Sequence, residues 1–319
     1  MSMTERNISG DNDQLKVVIV GGPTASGKSE LAVQLAERFD GEVVNADSMQ
    51  CYRGLDIGTA KPSPDLLQRV PHHLLGIVGP EADFTAANYQ LEARRVVAEI
   101  NARGKLPVLV GGTGLYIKAF LSGLAESPGA DASVREVCNR IADHEGNENL
   151  LEALRKVDPV SAARIHPNNR VRIIRAMEVF KQTGRSISEF QDEHGFMSKW
   201  CKSLKIGINV ERSELYGRIN ARVDRMIADG LVAEVESLLS MGYSPVLKAL
   251  SSIGYREVCD FLAGNKTFSE AIGLIKQNSR RYAKRQLTWF KNDPEMVWFE
   301  SPLIFERVSA SVAEFLRSE

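Results

Sequence analysis

The residues with the clearest chemistry lie near the start of the chain, in "GPTASGKS" (22–29). This G-x-x-x-x-G-K-S pattern follows the β-branched run "LKVVIV" (15–20) and precedes a helical pattern, the context in which such loops bind phosphate groups. The backbone amides and the helix N-terminus would bind an anion, Lys28 would neutralise a phosphate oxygen, and the Ser29 hydroxyl would bind Mg²⁺. The motif predicts a bound diphosphate without saying which molecule carries it. The residues predicted to bind it are Gly22, Pro23, Thr24, Ala25, Ser26, Gly27, Lys28 and Ser29.

A carboxylate and a hydroxyl are expected beside this loop. Asp47 ends the predicted strand "GEVVNADS" (41–48), and Thr113 lies in the glycine-rich turn "GGTGLY" (111–116). At the edge of a parallel sheet, Asp47 could hold Mg²⁺ or act as a general base, whereas an isolated Asp after a strand is often only a turn former or helix cap. The convergence of both segments on one sheet edge favours the chemical interpretation.

Arginines supply further candidates. Arg218 and Arg222 lie four residues apart in "RINARVDRM" (218–226), so they share one face of a helix. They could stabilise a departing diphosphate, or they could belong to a solvated charged face. Two more basic clusters, "KQNSRRYAKRQLTWFK" (276–291) and "RIHPNNRVRIIR" (164–175), suggest a polyanion larger than a nucleotide.

The elements that must position these residues alternate between strand and helix. Apolar runs predict strands at 15–20, 41–48, 72–78, 105–114, 204–210 and 295–300, whereas helical patterns dominate from about 128 to 202. We therefore predict an α/β fold, a P-loop-type parallel sheet core flanked by helices with an all-helical insertion domain. The expected parts are a flexible tail (1–14), a catalytic core (15–127 and 203–319) and a helical insertion (128–202).

Composition narrows the class of protein. The net charge of -1 excludes a global positive field, so any contact with nucleic acid must come from local basic patches. The four cysteines are scattered without a C-x-x-C pair, which argues against a zinc site or a disulfide framework. The N-terminal segment is polar, and no apolar run approaches the length of a membrane span. We expect a cytoplasmic protein that does not contact membranes.

Taken together, these motifs resemble the tRNA dimethylallyltransferase family, which prenylates adenosine 37 beside the anticodon. The resemblance extends from about Lys16 to about Asn292 and rests on "GPTASGKS", "ADSMQCYRGLDIGTAKP", "GGTGLY", "RIHPNN", "IGYREV" and "RRYAKRQLTWF". It implies transfer of a dimethylallyl group from dimethylallyl diphosphate to the exocyclic amine of adenosine 37, in tRNAs reading codons that begin with U. It also implies Mg²⁺ as cofactor, the tRNA anticodon stem-loop as partner, and a monomer.

Particular residues match the family's functional positions. Asp47 matches its general base, Thr113 a threonine that assists near the amine, and Arg222 its catalytic arginine, with Arg218 one turn away as the alternative. Cys51, Ser251 and Ser252 depart from the usual residues of the family. The residues that match tRNA-contacting segments are Asp47, Ser48, Met49, Gln50, Thr113, Arg135, Val171, Arg172, Ile173, Ile174, Arg175, Ser251, Ser252, Ile253, Gly254, Tyr255 and Arg256.

Three other functions share parts of the pattern. A P-loop small-molecule kinase would use the same loop and would release ADP. An adenylate isopentenyltransferase would prenylate free AMP, although a free nucleotide needs no helical insertion with a basic cluster. A non-catalytic RNA-binding or nucleotide-switch protein would leave Asp47 and Thr113 without chemical work.

Overall fold

In a computed structural model, residues 15–195, 199–302 and 304–318 of the chain are described, so the predicted tail (1–14) lies outside the described residues. The chain forms two compact units, the second of which is Ser122–Lys199. The strands are β1 (Lys16–Gly21), β2 (Gly41–Asn45), β3 (His72–His73), β4 (Leu106–Gly111), β5 (Lys202–Asn209) and β6 (Met296–Glu300).

Helices connect these strands in the first unit. They are α1 (Lys28–Arg38), α2 (Pro64–Arg69), α3 (Ala86–Ala102), α4 (Gly114–Ser122), α10 (Arg212–Ala228), α11 (Leu231–Ser240), α12 (Tyr255–Leu262), α13 (Phe268–Lys291) and α14 (Phe305–Arg317). The helices of the second unit are α5 (Ala132–His144), α6 (Asn147–Val157), α7 (Pro159–Arg164), α8 (Arg170–Thr183) and α9 (Ile187–His194).

The six strands form one parallel sheet in the order β3-β2-β4-β1-β5-β6. In β1, Val17 and Ile19 pack into one hydrophobic core while Val18 and Val20 pack into the other. Both faces of the sheet are therefore buried, as a continuous apolar run requires. The predicted α/β class and P-loop-type parallel sheet are confirmed.

Several strand bounds in the structure differ from those predicted. The strand predicted over 72–78 is only two residues long, because Leu74 and Gly76 adopt positive φ angles (61° and 58°) that turn the chain out of the sheet. Lys202, assigned by sequence to the helical insertion, pairs with Lys16 at the start of β5. The second unit has its own core around Leu150, Leu154 and Ile173.

Among the described residues, no helix is long and apolar enough to cross a lipid bilayer.

Candidate active site at the carboxyl edge of the sheet

The loop between β1 and α1 has the geometry of an anion cradle. Gly22, Ala25 and Gly27 all take positive φ angles (142°, 63° and 93°), so the backbone of this loop turns tightly. Gly27 caps α1 without a side chain, and the first-turn amides of the helix are therefore not capped by a side chain there. Those amides and the helix dipole together favour a bound anion.

Lys28 is buried behind this loop and is held by it. Its Nζ donates a hydrogen bond to the Pro23 carbonyl at 2.5 Å. Burial and, to a smaller extent, the nearby Arg222 guanidinium lower the pKa of Lys28 to about 7, although the Asp47 carboxylate opposes both effects. A bound diphosphate would bring negative charge to Lys28 and favour its protonated form.

Asp47 lies two residues beyond the end of β2, in a tight turn. Its backbone amide donates to Asn45 Oδ1 at 3.0 Å, and its own Oδ1 accepts from the Met49 amide at 2.9 Å. The turn-forming role that sequence left open is therefore real. The turn also fixes the direction of the Asp47 carboxylate. The charge of this carboxylate opposes the lowering of the pKa of both Lys28 and Arg222.

The Thr113 hydroxyl joins the turn after β4 to the turn after β2. Its Oγ1 accepts from the Ser48 amide at 3.0 Å and donates to Ser48 Oγ at 3.3 Å, and the Thr113 amide donates to the Ala46 carbonyl at 3.2 Å. The structure therefore brings Asp47 and Thr113 together on one edge of the sheet.

The two candidate arginines on α10 have different surroundings. Arg218 donates to Glu214 at 2.5 Å and to Ser301 at 3.1 Å, whereas Arg222 donates to the Thr59 carbonyl at 3.3 Å. Burial lowers the pKa of Arg222, and the Asp47 carboxylate raises it. Of the pair, only Arg222 lines the cavities beside the diphosphate loop.

Two cavities meet at this edge of the sheet. A narrow cavity is lined by Lys28 and Ser29, and a wider one of about 330 Å³ is lined by Tyr282 and Arg285. Thr24, Asp47 and Arg222 line both. Asp47 and Arg222 therefore lie where the narrow and the wider cavity meet.

Residues predicted to contact tRNA divide between this site and the second unit. In the first unit, Gln50 lines the narrow cavity and Asp47 lines both cavities. Six more of these residues line the wider cavity: Ser48, Met49, Ser251, Ser252, Ile253 and Gly254. Tyr255 is 0% exposed and its hydroxyl donates to Glu234 at 2.5 Å, so stacking of this ring on an unpaired base is not supported. Arg256 is half exposed and pairs with Glu257 at 2.8 Å.

Helix α8 of the second unit presents its predicted tRNA contacts unequally. Val171 is 78% exposed, and Arg172 is also exposed, whereas Ile173 and Ile174 are buried in the core of the unit. Direct RNA contacts by those two isoleucine side chains are therefore not supported. Arg135 and Arg175 both pair with the buried Glu178, at 2.7 Å and 2.6 Å, which leaves each guanidinium partly exposed.

The basic cluster on α13 is partly engaged with α10. Lys276 pairs with Asp224 at 2.6 Å, and Arg280 donates to Asn220 at 2.6 Å. Arg285 lies over the Tyr282 ring, with its guanidinium carbon 5.6 Å from the ring centre. The cluster therefore anchors the helix as well as offering charge to the wider cavity.

Sequence reasoning missed two residues of α13 that reach the site. Gln286 bonds to both glycine-rich loops, and the Tyr282 hydroxyl interacts with the Thr113 and Gln286 side chains. Burial and the Asp47 charge raise the pKa of Tyr282 to about 12, so the phenol stays protonated. The i, i+4 spacing of Tyr282 and Gln286 in "RRYAKRQLTWF" indicates that both side chains lie on one face of a helix, but this stretch is interpreted above only as a basic cluster.

The oxygen donors at this site suit Mg²⁺. The Ser29 hydroxyl and the Asp47 carboxylate line the same narrow cavity. Within the described residues, no group of three or more His, Cys, Asp or Glu side chains could hold a metal. Mg²⁺ usually takes one or two protein oxygens together with substrate phosphates and waters, so a cage of protein ligands is not required.

The chain is similar to known proteins over most of its length. The family model described as IPP transferase matches residues 50–293. The chain is 59% identical to a tRNA dimethylallyltransferase of Geobacter sulfurreducens, covering 94% of this chain and 96% of that one, and 49% identical to one of Desulfosudis oleivorans, covering 95% and 96%.

Solved structures are similar over nearly the same extent. A tRNA isopentenylpyrophosphate transferase from Bacillus halodurans aligns with a TM-score of 0.71 at 41% identity, covering 95% of this chain and 97% of that one. A eukaryotic dimethylallyltransferase described as acting on tRNA aligns with a TM-score of 0.75 at 26% identity, covering 93% and 77%.

Proposed function

Because this chain belongs to the IPP transferase family, we propose that it prenylates tRNA. It transfers the dimethylallyl group of dimethylallyl diphosphate to the exocyclic amine of adenosine 37, in tRNAs reading codons that begin with U. The products are isopentenyladenosine and diphosphate. The single observation that carries the proposal is that Asp47 and Arg222 line both cavities, between the diphosphate loop and the wider opening.

The two cavities suit two different substrates. The narrow one contains Lys28 and Ser29 next to the loop amides, and these groups complement a diphosphate. The wider one is lined by Tyr282, Arg285 and the segment Ser251–Gly254, which offer an aromatic ring, a cation and hydroxyls to an unpaired base. The target base leaves its stack to enter, at a cost of a few kcal/mol, which is roughly offset by contacts with the anticodon arm.

The reaction needs a base and stabilisation of the leaving group. The exocyclic amine of adenine is a poor nucleophile because its lone pair is delocalised into the ring, so Asp47 accepts its proton during attack. The bond from nitrogen to C-1 of the prenyl group forms as the bond from C-1 to the diphosphate oxygen breaks. Lys28, Arg222 and the loop amides stabilise the charge that develops on the leaving diphosphate.

Thr113 assists beside the amine. Its hydroxyl is held between Ser48 and the Tyr282 phenol, so its direction is set before the substrates arrive. Ser29 would hold Mg²⁺ at the diphosphate. When bound, the ion would neutralise negative charge on the phosphate oxygens.

The rival functions leave part of this arrangement unused. A small-molecule kinase has no need of the wide cavity beside Arg222, and an adenylate isopentenyltransferase acting on AMP has no need of the exposed Val171 and Arg172 on a separate helical unit. We also propose a cytoplasmic location, which suits the free thiols of Cys51, Cys138, Cys201 and Cys259.

The deciding experiment supplies radiolabelled dimethylallyl diphosphate, Mg²⁺ and an unmodified anticodon stem-loop with adenosines at positions 36 to 38. We expect label on the RNA and release of diphosphate without consumption of ATP. The matched control carries inosine at position 37, which lacks the exocyclic amine and should receive no label.

Two outcomes would overturn the proposal. Label on free AMP but none on the stem-loop would favour the adenylate enzyme. Formation of ADP from ATP and a small acceptor, with no transfer of label, would favour the kinase.

A further inference from the structure

The Gln286 side chain connects the two glycine-rich loops of the site. Its Oε1 accepts from the Thr24 amide at 2.9 Å, and its Nε2 donates to the Gly112 carbonyl at 3.0 Å. The side chain is only 4% exposed, so both backbone groups would lose a partner that water could not easily replace. A carboxamide satisfies this position because it has a donor and an acceptor on one rigid plane.

The close approach of α13 to the two loops depends on glycines. A Cβ atom on Gly112 would lie 2.0 Å from Gln286 Nε2, and one on Gly114 would lie 2.1 Å from Trp289 Nε1. On the neighbouring strand, a Cβ on Gly21 would lie 2.6 Å from the Phe290 ring. The ends of β1 and β4 are therefore shaped to accept the C-terminal half of this one helix.

The same helix reaches Thr113 one turn earlier. The Tyr282 hydroxyl interacts with the side chains of Thr113 and Gln286. Thr113 is in turn tied to Ser48, next to Asp47. A chain of contacts thus runs from Thr24 in the diphosphate loop, through Gln286 and Tyr282, to the loop that carries Thr113.

From this geometry we propose that Gln286 is a positioning residue, which fixes the distance between the diphosphate loop and the loop that carries Thr113. The inference rests on the proposed transferase function and deepens it. Gln286 acts through the Thr24 amide and the Gly112 carbonyl. It sets where the leaving diphosphate lies relative to the attacking amine.

Loss of this connection should affect turnover more than RNA binding. A displacement of about 1 Å between reacting groups can lower a rate on the order of 10²-fold. The residues predicted to contact tRNA do not include Gln286, so the KM for the stem-loop should stay within a few-fold of wild type.

The test compares Gln286→Met with Gln277→Met in the full-length chain. Methionine has nearly the volume of glutamine but makes neither hydrogen bond. Gln277 lies on the same helix and is exposed, so its substitution controls for the change in composition. We would measure kcat and the KM of both substrates, the affinity for inorganic diphosphate with Mg²⁺ by calorimetry, and the melting temperature.

For Gln286→Met we expect kcat to fall by about 10²-fold and diphosphate to bind more weakly, while the Gln277→Met protein stays within about twofold of wild type. An unchanged kcat and diphosphate affinity, with only a lower melting temperature, would show a merely structural role and overturn the inference. If Gln286→Met fails to fold, Gln286→Asn decides on the same criteria, because it keeps the uncharged carboxamide on a side chain one methylene shorter, which cannot hold both Thr24 and Gly112 in place.

Failure of the proposed function is distinguishable from failure of this inference. A wild-type chain that does not prenylate the stem-loop would contradict the transferase function. The diphosphate affinities would then test the inference alone: weaker binding by Gln286→Met than by Gln277→Met would support it, and equal binding would overturn it.

Discussion

The Asp47 carboxylate closes the turn in which it lies, since its Oδ1 accepts from the Met49 amide at 2.9 Å. It also lies close enough to Lys28 and Arg222 to influence the pKa of each. The turn orients the side chain. A structural role and a chemical role are thus compatible at this residue.

Replacement of Asp47 by asparagine separates the two roles. Asparagine keeps an oxygen for the Met49 amide, so the turn should persist, but it cannot accept a proton. We expect kcat to fall by about 10²- to 10⁴-fold with little change in tRNA affinity, measured by steady-state kinetics and RNA binding. Asp56→Asn, in the same loop, is the control, because Asp56 pairs with Lys61 away from the site. Wild-type turnover by Asp47→Asn would exclude it as the base.

The arginine pair on α10 allows a matched comparison. Arg222→Ala removes a cation from both cavities, and we expect kcat to fall by about 10²-fold, as when a group stabilising transition-state charge is lost. Arg218→Ala removes only a pair with Glu214 and a contact with Ser301, so turnover should stay near wild type. Equal losses in the two variants would contradict the assignment of Arg222.

The lowered pKa of Lys28 predicts that the free energy of unfolding depends on pH. Its folded pKa of about 7 lies below the ordinary lysine value of 10.5, so between these values the unfolded chain binds more protons and stability rises with pH. Below about pH 7 both states are protonated and the destabilising effect is complete. The free energy of unfolding of Lys28→Met relative to wild type, measured in urea, should be most favourable below about pH 7 and should decline towards pH ~10. A difference independent of pH would refute the prediction.

At the scale of the element, α8 carries both exposed residues, which we predict to contact RNA, and residues that pack. Val171 and Arg172 face solvent, while Ile173 and Ile174 belong to the core of the second unit. One short run of sequence therefore contains both exposed and buried residues, because successive side chains on a helix point about 100° apart.

This division predicts opposite phenotypes for neighbouring substitutions. Arg172→Ala should weaken binding of the stem-loop and leave the melting temperature unchanged, because an exposed cation contributes mainly to phosphate contacts. Ile173→Ala should cost about 2–5 kcal/mol of stability. Fluorescence titration with RNA and thermal unfolding by circular dichroism would measure the two effects. Loss of stability in Arg172→Ala without loss of RNA affinity would contradict the predicted contact.

At the scale of the whole molecule, the first unit of a single chain supplies all the residues that line the two cavities. A second copy is therefore not needed to complete them. We expect the free protein to be a monomer, with a mass near 35.2 kDa by light scattering and a specific activity independent of protein concentration. A stable dimer whose dissociation abolishes turnover would contradict this expectation.

Sequence determined the architecture because its signals are local. Buried parallel strands read as continuous apolar runs, and a P-loop pattern between a strand and a helix places an anion site at the sheet edge. Ordered motifs also led to the family. The predicted strand over 72–78 is too long, because a pattern of apolar residues does not reveal the positive φ angles of Leu74 and Gly76.

Only tertiary structure decided which side chains meet. Helical spacing gave Arg218 and Arg222 equal standing, but packing brings the distant Ser301 to Arg218, which also pairs with Glu214 one turn earlier on α10. Tyr255 lies in a segment that matches tRNA-contacting residues of the family, yet its ring is buried and its hydroxyl donates to Glu234. Sequence did not single out Gln286, because its two partners are backbone groups at Thr24 and Gly112 that are distant along the chain. Local pattern fixes the elements, whereas partners far apart in sequence become neighbours only when those elements pack.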